Sequence, residues 1–140
     1  MEFCLTNGTD CLSINPISKV TDENWFSSLV KINIKSIMYQ YGAGFQLQDF
    51  AGFLLSINKL LNGSIEAAEF ICLEEWLYLK IVKMDHLGHY QIQIKIQNGD
   101  TQIMTLFQID QINFEHLPQS LEIFCRDIAG NTGSSICRII

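Results

Sequence analysis

The chain has 140 residues, 48% of them hydrophobic and only 17% charged. That is one domain's worth of chain, too apolar for disorder through its bulk, and no apolar run reaches the roughly 18–20 residues of a membrane span. Nine Lys and Arg against fifteen Asp and Glu leave a net charge of −6, which disfavours nucleic acid as a partner, because affinity for phosphates comes from clustered cations.

From the N-terminus, Met1–Leu5 carries no basic n-region, so a secretory signal is not expected. Phe3–Leu5 and Cys11–Ile14 are placed to form a small hairpin around Asn7-Gly8. Trp25–Ser36 contains an alternating run, Val30, Ile32 and Ile34 against Lys31, Asn33 and Lys35, and reads as a strand. Tyr39–Leu47 is placed to return antiparallel, with Gly42 and Gly44 marking a bulge or turn. Gln48–Asn62 has apolar residues at helical spacing (Phe50, Phe53, Leu54, Ile57, Leu60 and Leu61), Asp49 near its start and Gly63 at its C′ position.

Asp85-His86-Leu87-Gly88 predicts a four-residue loop, Asp opening the turn and Gly closing it. Counting outward from it sets Ile81 against Ile92, Leu79 against Ile94 and Leu77 against Ile96. Asn98-Gly99 predicts a two-residue hairpin loop that pairs Gln97 with Asp100. Ile96 then faces Thr101, Ile94 faces Ile103, Ile92 faces Thr105 and Tyr90 faces Phe107. Both turns bury one face: Leu77, Leu79, Ile81, Tyr90, Ile92, Ile94, Ile96, Ile103 and Phe107. Residues 76–109 are therefore expected as an antiparallel meander. Leu117–Ala129 reads as a second helix, with a stripe of Leu121, Phe124, Cys125 and Ile128, Pro118 in its first turn and Gly130 ending it. The tail from Gly130 to Ser135 either frays or leads Ile136–Ile140 back as a short strand. No repeats are evident. The expected fold is α+β: one domain over 1–140, with a curved antiparallel sheet of about six strands packed by two helices.

Candidate chemistry is sparse. Five cysteines (Cys4, Cys11, Cys72, Cys125 and Cys137) without a CxxC pair read as reduced thiols in a cytoplasmic protein. His86 and His89 with Asp85 form a weak metal-ligand pattern, since a turn explains Asp85 and Gly88 by itself. His116 has no evident partner. No nucleophile elbow, phosphate loop or activated thiol is present. Glu66, Glu69, Glu74 and Glu75 fall within ten residues that hold no Lys or Arg. The bland reading is a solvated acidic face. The sharper one is a recognition surface for a basic protein, with Trp76 as an aromatic anchor. Glu69 and Glu75 are the right residue type for acid–base work, but nothing in their spacing places a substrate between them.

Several short motifs stand in a telling order. Asn24-Trp25 precedes the alternating strand. Glu66-Ala67-Ala68-Glu69-Phe70 leads into Glu74-Glu75-Trp76-Leu77-Tyr78-Leu79. Asp85-x-x-Gly88-His89 enters the next strand, and Phe107-x-x-Asp110-Gln111 and Leu117-Pro118 follow. Over about residues 22–128 this order resembles the WapI-type immunity proteins, small bacterial proteins encoded beside polymorphic toxins whose C-terminal domains they neutralise. The resemblance implies a cytoplasmic, non-enzymatic inhibitor. No cofactor is expected, and either a monomer or a homodimer is compatible with that role. Many such toxins are nucleases, so the implied partner is a cognate toxin domain with a basic surface. The alternatives are a ligand- or metal-binding, enzyme-like module built on the His86/His89 turn, or an oligomeric structural domain.

Overall fold

The computed structural model describes residues 2–130. It contains eight strands: β1 (Phe3–Thr6), β2 (Cys11–Pro16), β3 (Trp25–Ile34), β4 (Ile37–Gln46), β5 (Ala67–Ile71), β6 (Leu77–Lys83), β7 (His89–Asn98) and β8 (Thr101–Asp110). Helix α1 (Leu47–Leu61) lies between β4 and β5, and α2 (Gln111–Glu115) and α3 (Leu117–Gly130) follow β8. The strands make two antiparallel four-stranded meanders, β1-β2-β3-β4 and β5-β6-β7-β8. The α+β class is as expected, but the strands form two sheets where the sequence predicted one of about six. The expected Ile136–Ile140 strand lies outside the described residues. Among those described, no helix is long and apolar enough to cross a membrane.

Each meander is a chain of tight turns. Ile34 pairs with Ile37, which leaves Lys35-Ser36 as a two-residue turn, with Lys35 at φ 55. The β3–β4 register then runs unbroken to Trp25↔Gln46. Gly42 and Gly44 therefore lie inside a continuous strand, with neither the bulge nor the turn expected of them. Ser28, fully buried on β3, donates its hydroxyl proton to the Ala43 carbonyl at 3.0 Å, so this buried polar atom is satisfied.

The loop at 85–88 has the expected register, Ile81↔Ile92, Leu79↔Ile94 and Leu77↔Ile96. The next hairpin differs by two residues, with Asn98↔Thr101, Ile96↔Ile103, Ile92↔Phe107 and Tyr90↔Ile109. The loop is thus Gly99-Asp100, and of these two only Gly99 has positive φ (59). That is the pattern of a turn with glycine in its first central place. A two-residue shift leaves every side chain on its face, so the expected inward residues are buried, Ile103 partly.

All nine phenylalanines are buried. Seven of them, Phe3, Phe26, Phe45, Phe50, Phe53, Phe70 and Phe124, form a connected set of ring contacts across β1, β3, β4, α1, β5 and α3. Helix α1 starts where Asp49 Oδ2 accepts the Gln46 N–H at 2.8 Å, half of a capping box. It ends with Gly63 at φ 81, the left-handed C′ residue.

Helix α2 was not legible in the sequence. Asp110 caps it, accepting the Asn113 N–H at 2.9 Å, and Phe114 stacks on Tyr90 with centroids 4.1 Å apart. Replacing Asp110 by alanine orphans that N–H and is expected to cost about 1 kcal/mol. Thermal unfolding reads this as a fall of roughly 3 °C in Tm.

Candidate functional site

The outward face of β5–β8 can be written as rows of cross-strand neighbours. One row is Glu69–Lys80–Gln93–Leu106, and the next is Ile71–Tyr78–Lys95–Met104. These positions alternate with the buried ones, so the register that buries the core also presents this face. Ile71, Met104 and Leu106 on it are exposed, Met104 at 73%. Leu73 is exposed just beyond β5. Two shallow depressions adjoin here and share Tyr78 and Lys95. Ile71, Glu75 and Gln97 line one, and Gln93, Met104 and Leu106 line the other.

Tyr78 is fixed in the middle. Its hydroxyl donates to Glu69 Oε2 at 2.5 Å. Burial, with that carboxylate beside it, pushes the phenol up to about 12, so Tyr78 keeps its proton, and its bond to Glu69, into alkaline solution. Large side chains exposed together around a half-buried, hydrogen-bonded tyrosine have the make-up of a protein-contact patch.

The five predicted contact residues do not gather at one point. Glu69 lies on this face. Glu74 and Glu75 are exposed in the tight bend after β5, where Glu75 adopts φ 58 and donates its N–H to the Cys72 carbonyl. Glu66 precedes β5, and a strand length of about 16 Å separates it from Glu74. It borders another depression, beside Lys83, Asp85 and His86. Trp76 is half-buried and packs against the core. Its carbonyl accepts the Tyr41 hydroxyl at 3.0 Å and the Gln97 N–H at 3.1 Å. Its indole Nε1 is buried with no hydrogen-bond partner among the described residues. Trp76 thus joins the two sheets and projects little. The Asn98 side chain crosses the same seam, donating to the Tyr39 hydroxyl at 2.9 Å.

The sequence reading missed Ile71, Tyr78, Met104 and Leu106 as surface residues. Their signal was present: once the β6–β7 register is set, the positions between the buried ones must face outward.

The turn at 85–88 is built as its residue types suggest. Asp85 Oδ1 accepts the N–H groups of Leu87 and His89, and Oδ2 meets His89 Nδ1 at 2.7 Å. That bond to His89 holds the exposed Asp85 carboxyl below its ordinary value. His86 makes no part of this set, and no three His, Cys, Asp or Glu side chains converge as metal ligands among the described residues. Gly88 has φ 86 and lies against Gln111 of α2.

The Immunity protein WapI-like family model matches residues 4–127. The chain belongs to this immunity protein family. The match begins before the 22–128 span of the motifs and takes in β2 and most of β1. Curated proteins give no match. Solved structures share the fold at low identity. WHY3 of Arabidopsis thaliana superposes with a TM-score of 0.55 at 12% identity, covering 95% of this chain and 90% of that one. MRP1/MRP2 of Trypanosoma brucei gives 0.52 at 8% identity, over 93% and 85%. The plant transcriptional regulator PBF-2 gives 0.52 at 10%, over 93% and 82%. Likeness at such identities is one of architecture, in which this member of the immunity family repeats four antiparallel strands and a helical segment twice.

Proposed function

We propose that this chain is a non-catalytic cytoplasmic inhibitor that binds a cognate toxin domain and blocks it. Membership of the immunity family carries the reading. The outer face of β5–β8 is the proposed contact surface: Ile71, Tyr78, Met104 and Leu106 bury apolar area, and Glu69, Glu74 and Glu75 flank them at the β5 side. Glu66 lies apart from this patch, and Trp76 is half-buried where Tyr41 of β4 meets its carbonyl. Net charge −6 favours a basic partner, and an acidic flank speeds encounter with one. The plant transcriptional regulator PBF-2 shares the fold, but a likeness at 10% identity carries no role over, and the acid excess of this chain disfavours a nucleic-acid partner.

The test is co-expression with the toxin encoded by the adjacent gene. Wild type is expected to rescue growth and to co-purify with the toxin domain. Tyr78→Ala should weaken the complex roughly thirtyfold, the scale of an interface hot spot. Glu74→Lys with Glu75→Lys should slow association about tenfold at low salt and less at high salt. A toxin that neither binds nor is neutralised would sink the inhibitor reading. A complex indifferent to all three substitutions would move the interface elsewhere.

A further inference from the structure

The outward face of the first hairpin holds a feature the inhibitor reading does not use. Phe3 and Leu5 of β1 and Leu12 and Ile14 of β2 point into the core, so Cys4 and Cys11 lie on the opposite face. Cys4 pairs with Ser13, and Cys11 with Thr6, which makes the two cysteines diagonal cross-strand neighbours. Their Sγ atoms are 2.9 Å apart, closer than the roughly 3.5–4.0 Å at which non-bonded heavy atoms rest. Each sulfur needs only about half an ångström of movement to reach bonding distance. Both side chains are partly exposed, whereas Cys72 and Cys125 are buried.

We propose that Cys4 and Cys11 are a dithiol that closes to a disulfide by exchange with a small-molecule disulfide such as oxidised glutathione, and reopens with the reduced thiol. Burial, with Cys11 beside it, pushes the Cys4 thiol up to about 12, so Cys11 is the first to react. Its thiolate attacks one glutathione sulfur, the glutathione S–S bond breaks, and a glutathione thiolate leaves and takes up a proton. Cys4 loses its proton to solvent and attacks the Cys11 sulfur of the mixed disulfide, releasing the second glutathione as thiolate. The two cysteines are oxidised by two electrons and glutathione disulfide is reduced to two thiols. In a reducing cytoplasm the pair is open.

Closure fixes a hairpin whose turn touches both sheets. Asn7 Nδ2 donates to the Gln108 carbonyl on β8 at 2.9 Å, and Asp10 Oδ1 accepts the Lys35 N–H at 2.9 Å. The bridge closes a short loop between the two strands, so it restrains this turn against both neighbours.

The experiment equilibrates purified protein in glutathione buffers of increasing oxidised fraction, quenches with an alkylating reagent and maps the peptides. The expected result is a reversible loss of two alkylatable thiols, with the Cys4 and Cys11 peptides joined and lighter by two hydrogens. Cys4→Ser should stop at a glutathione adduct on Cys11. Full alkylation of Cys4 and Cys11 at every ratio overturns the proposal. So does a bridge from either one to Cys137, or a Cys4→Ser protein that carries no adduct.

Discussion

Phe50→Ala is expected to destabilise the fold by about 3–5 kcal/mol and to lower Tm by roughly 10–15 °C. Phe50 is fully buried. It meets Phe124 at 5.0 Å, Phe70 at 5.1 Å, Phe45 at 5.5 Å and Phe26 at 5.7 Å between ring centroids. Those partners belong to α3, β5, β4 and β3, so one ring from α1 touches both sheets and the closing helix. Alanine removes the transfer free energy of the ring and leaves a cavity walled by four aromatics, none of which can collapse into it without breaking its own contacts. Against a total stability of about 5–15 kcal/mol that is a large share. Urea unfolding should give a lower midpoint with an unchanged slope. A loss under about 1 kcal/mol would mean that this aromatic set is not what joins the layers.

How far the sequence could reach is clearest at particular residues. Asp85 and Gly88 anchor a turn by chemistry and by φ, so the β6–β7 register followed directly. Asn98-Gly99 carried the same kind of signal and placed the β7–β8 register two residues away from the observed one. Hydrophobic alternation could not detect this, because a slip of two keeps every residue on its face. Cross-strand pairing could have. The observed register sets Ile96 on Ile103, Ile92 on Phe107 and Tyr90 on Ile109, whereas the expected one set Ile96 and Ile92 on threonines.

Strand β5 escaped because Ala67, Ala68 and Glu69 are weak strand formers and only Ala68 and Phe70 of its five residues are buried. Its place is decided by packing on α1 and by the ladder to β6. The split into two sheets was illegible for a related reason. Alternation reports which face is buried and not which element covers it, and here Phe50 and Phe53 of α1 touch phenylalanines of both sheets. The contact surface shows the same division. Acid-rich segments are visible as composition. Whether Glu66 joins Glu74 depends on the five extended residues between them, and whether Met104 joins Tyr78 depends on a register across three strands.

Gly88→Ala is expected to cost about 2–4 kcal/mol, more than an exposed hairpin turn ordinarily loses. Two effects add. At φ 86 an L side chain is strained by roughly 1–2 kcal/mol. In addition, a Cβ built there lies 2.5 Å from Gln111 Oε1 and 2.7 Å from Gln111 Cβ. The amide oxygen can swing aside, although it would leave the arrangement in which Gln111 Nε2 donates to Glu115 at 2.6 Å. The Gln111 Cβ cannot, because it is fixed to the first residue of α2. That helix is held by the Asp110 cap and by Phe114 stacked on Tyr90. The substitution therefore either opens the turn that sets the β6–β7 register or pushes α2 off the sheet. A double-mutant cycle separates the terms. Gln111→Gly removes the clash and leaves the backbone strain, so Gly88→Ala should cost about 1–2 kcal/mol less in that background. Equal costs in both backgrounds would mean that α2 yields freely and only the left-handed backbone demands glycine at position 88.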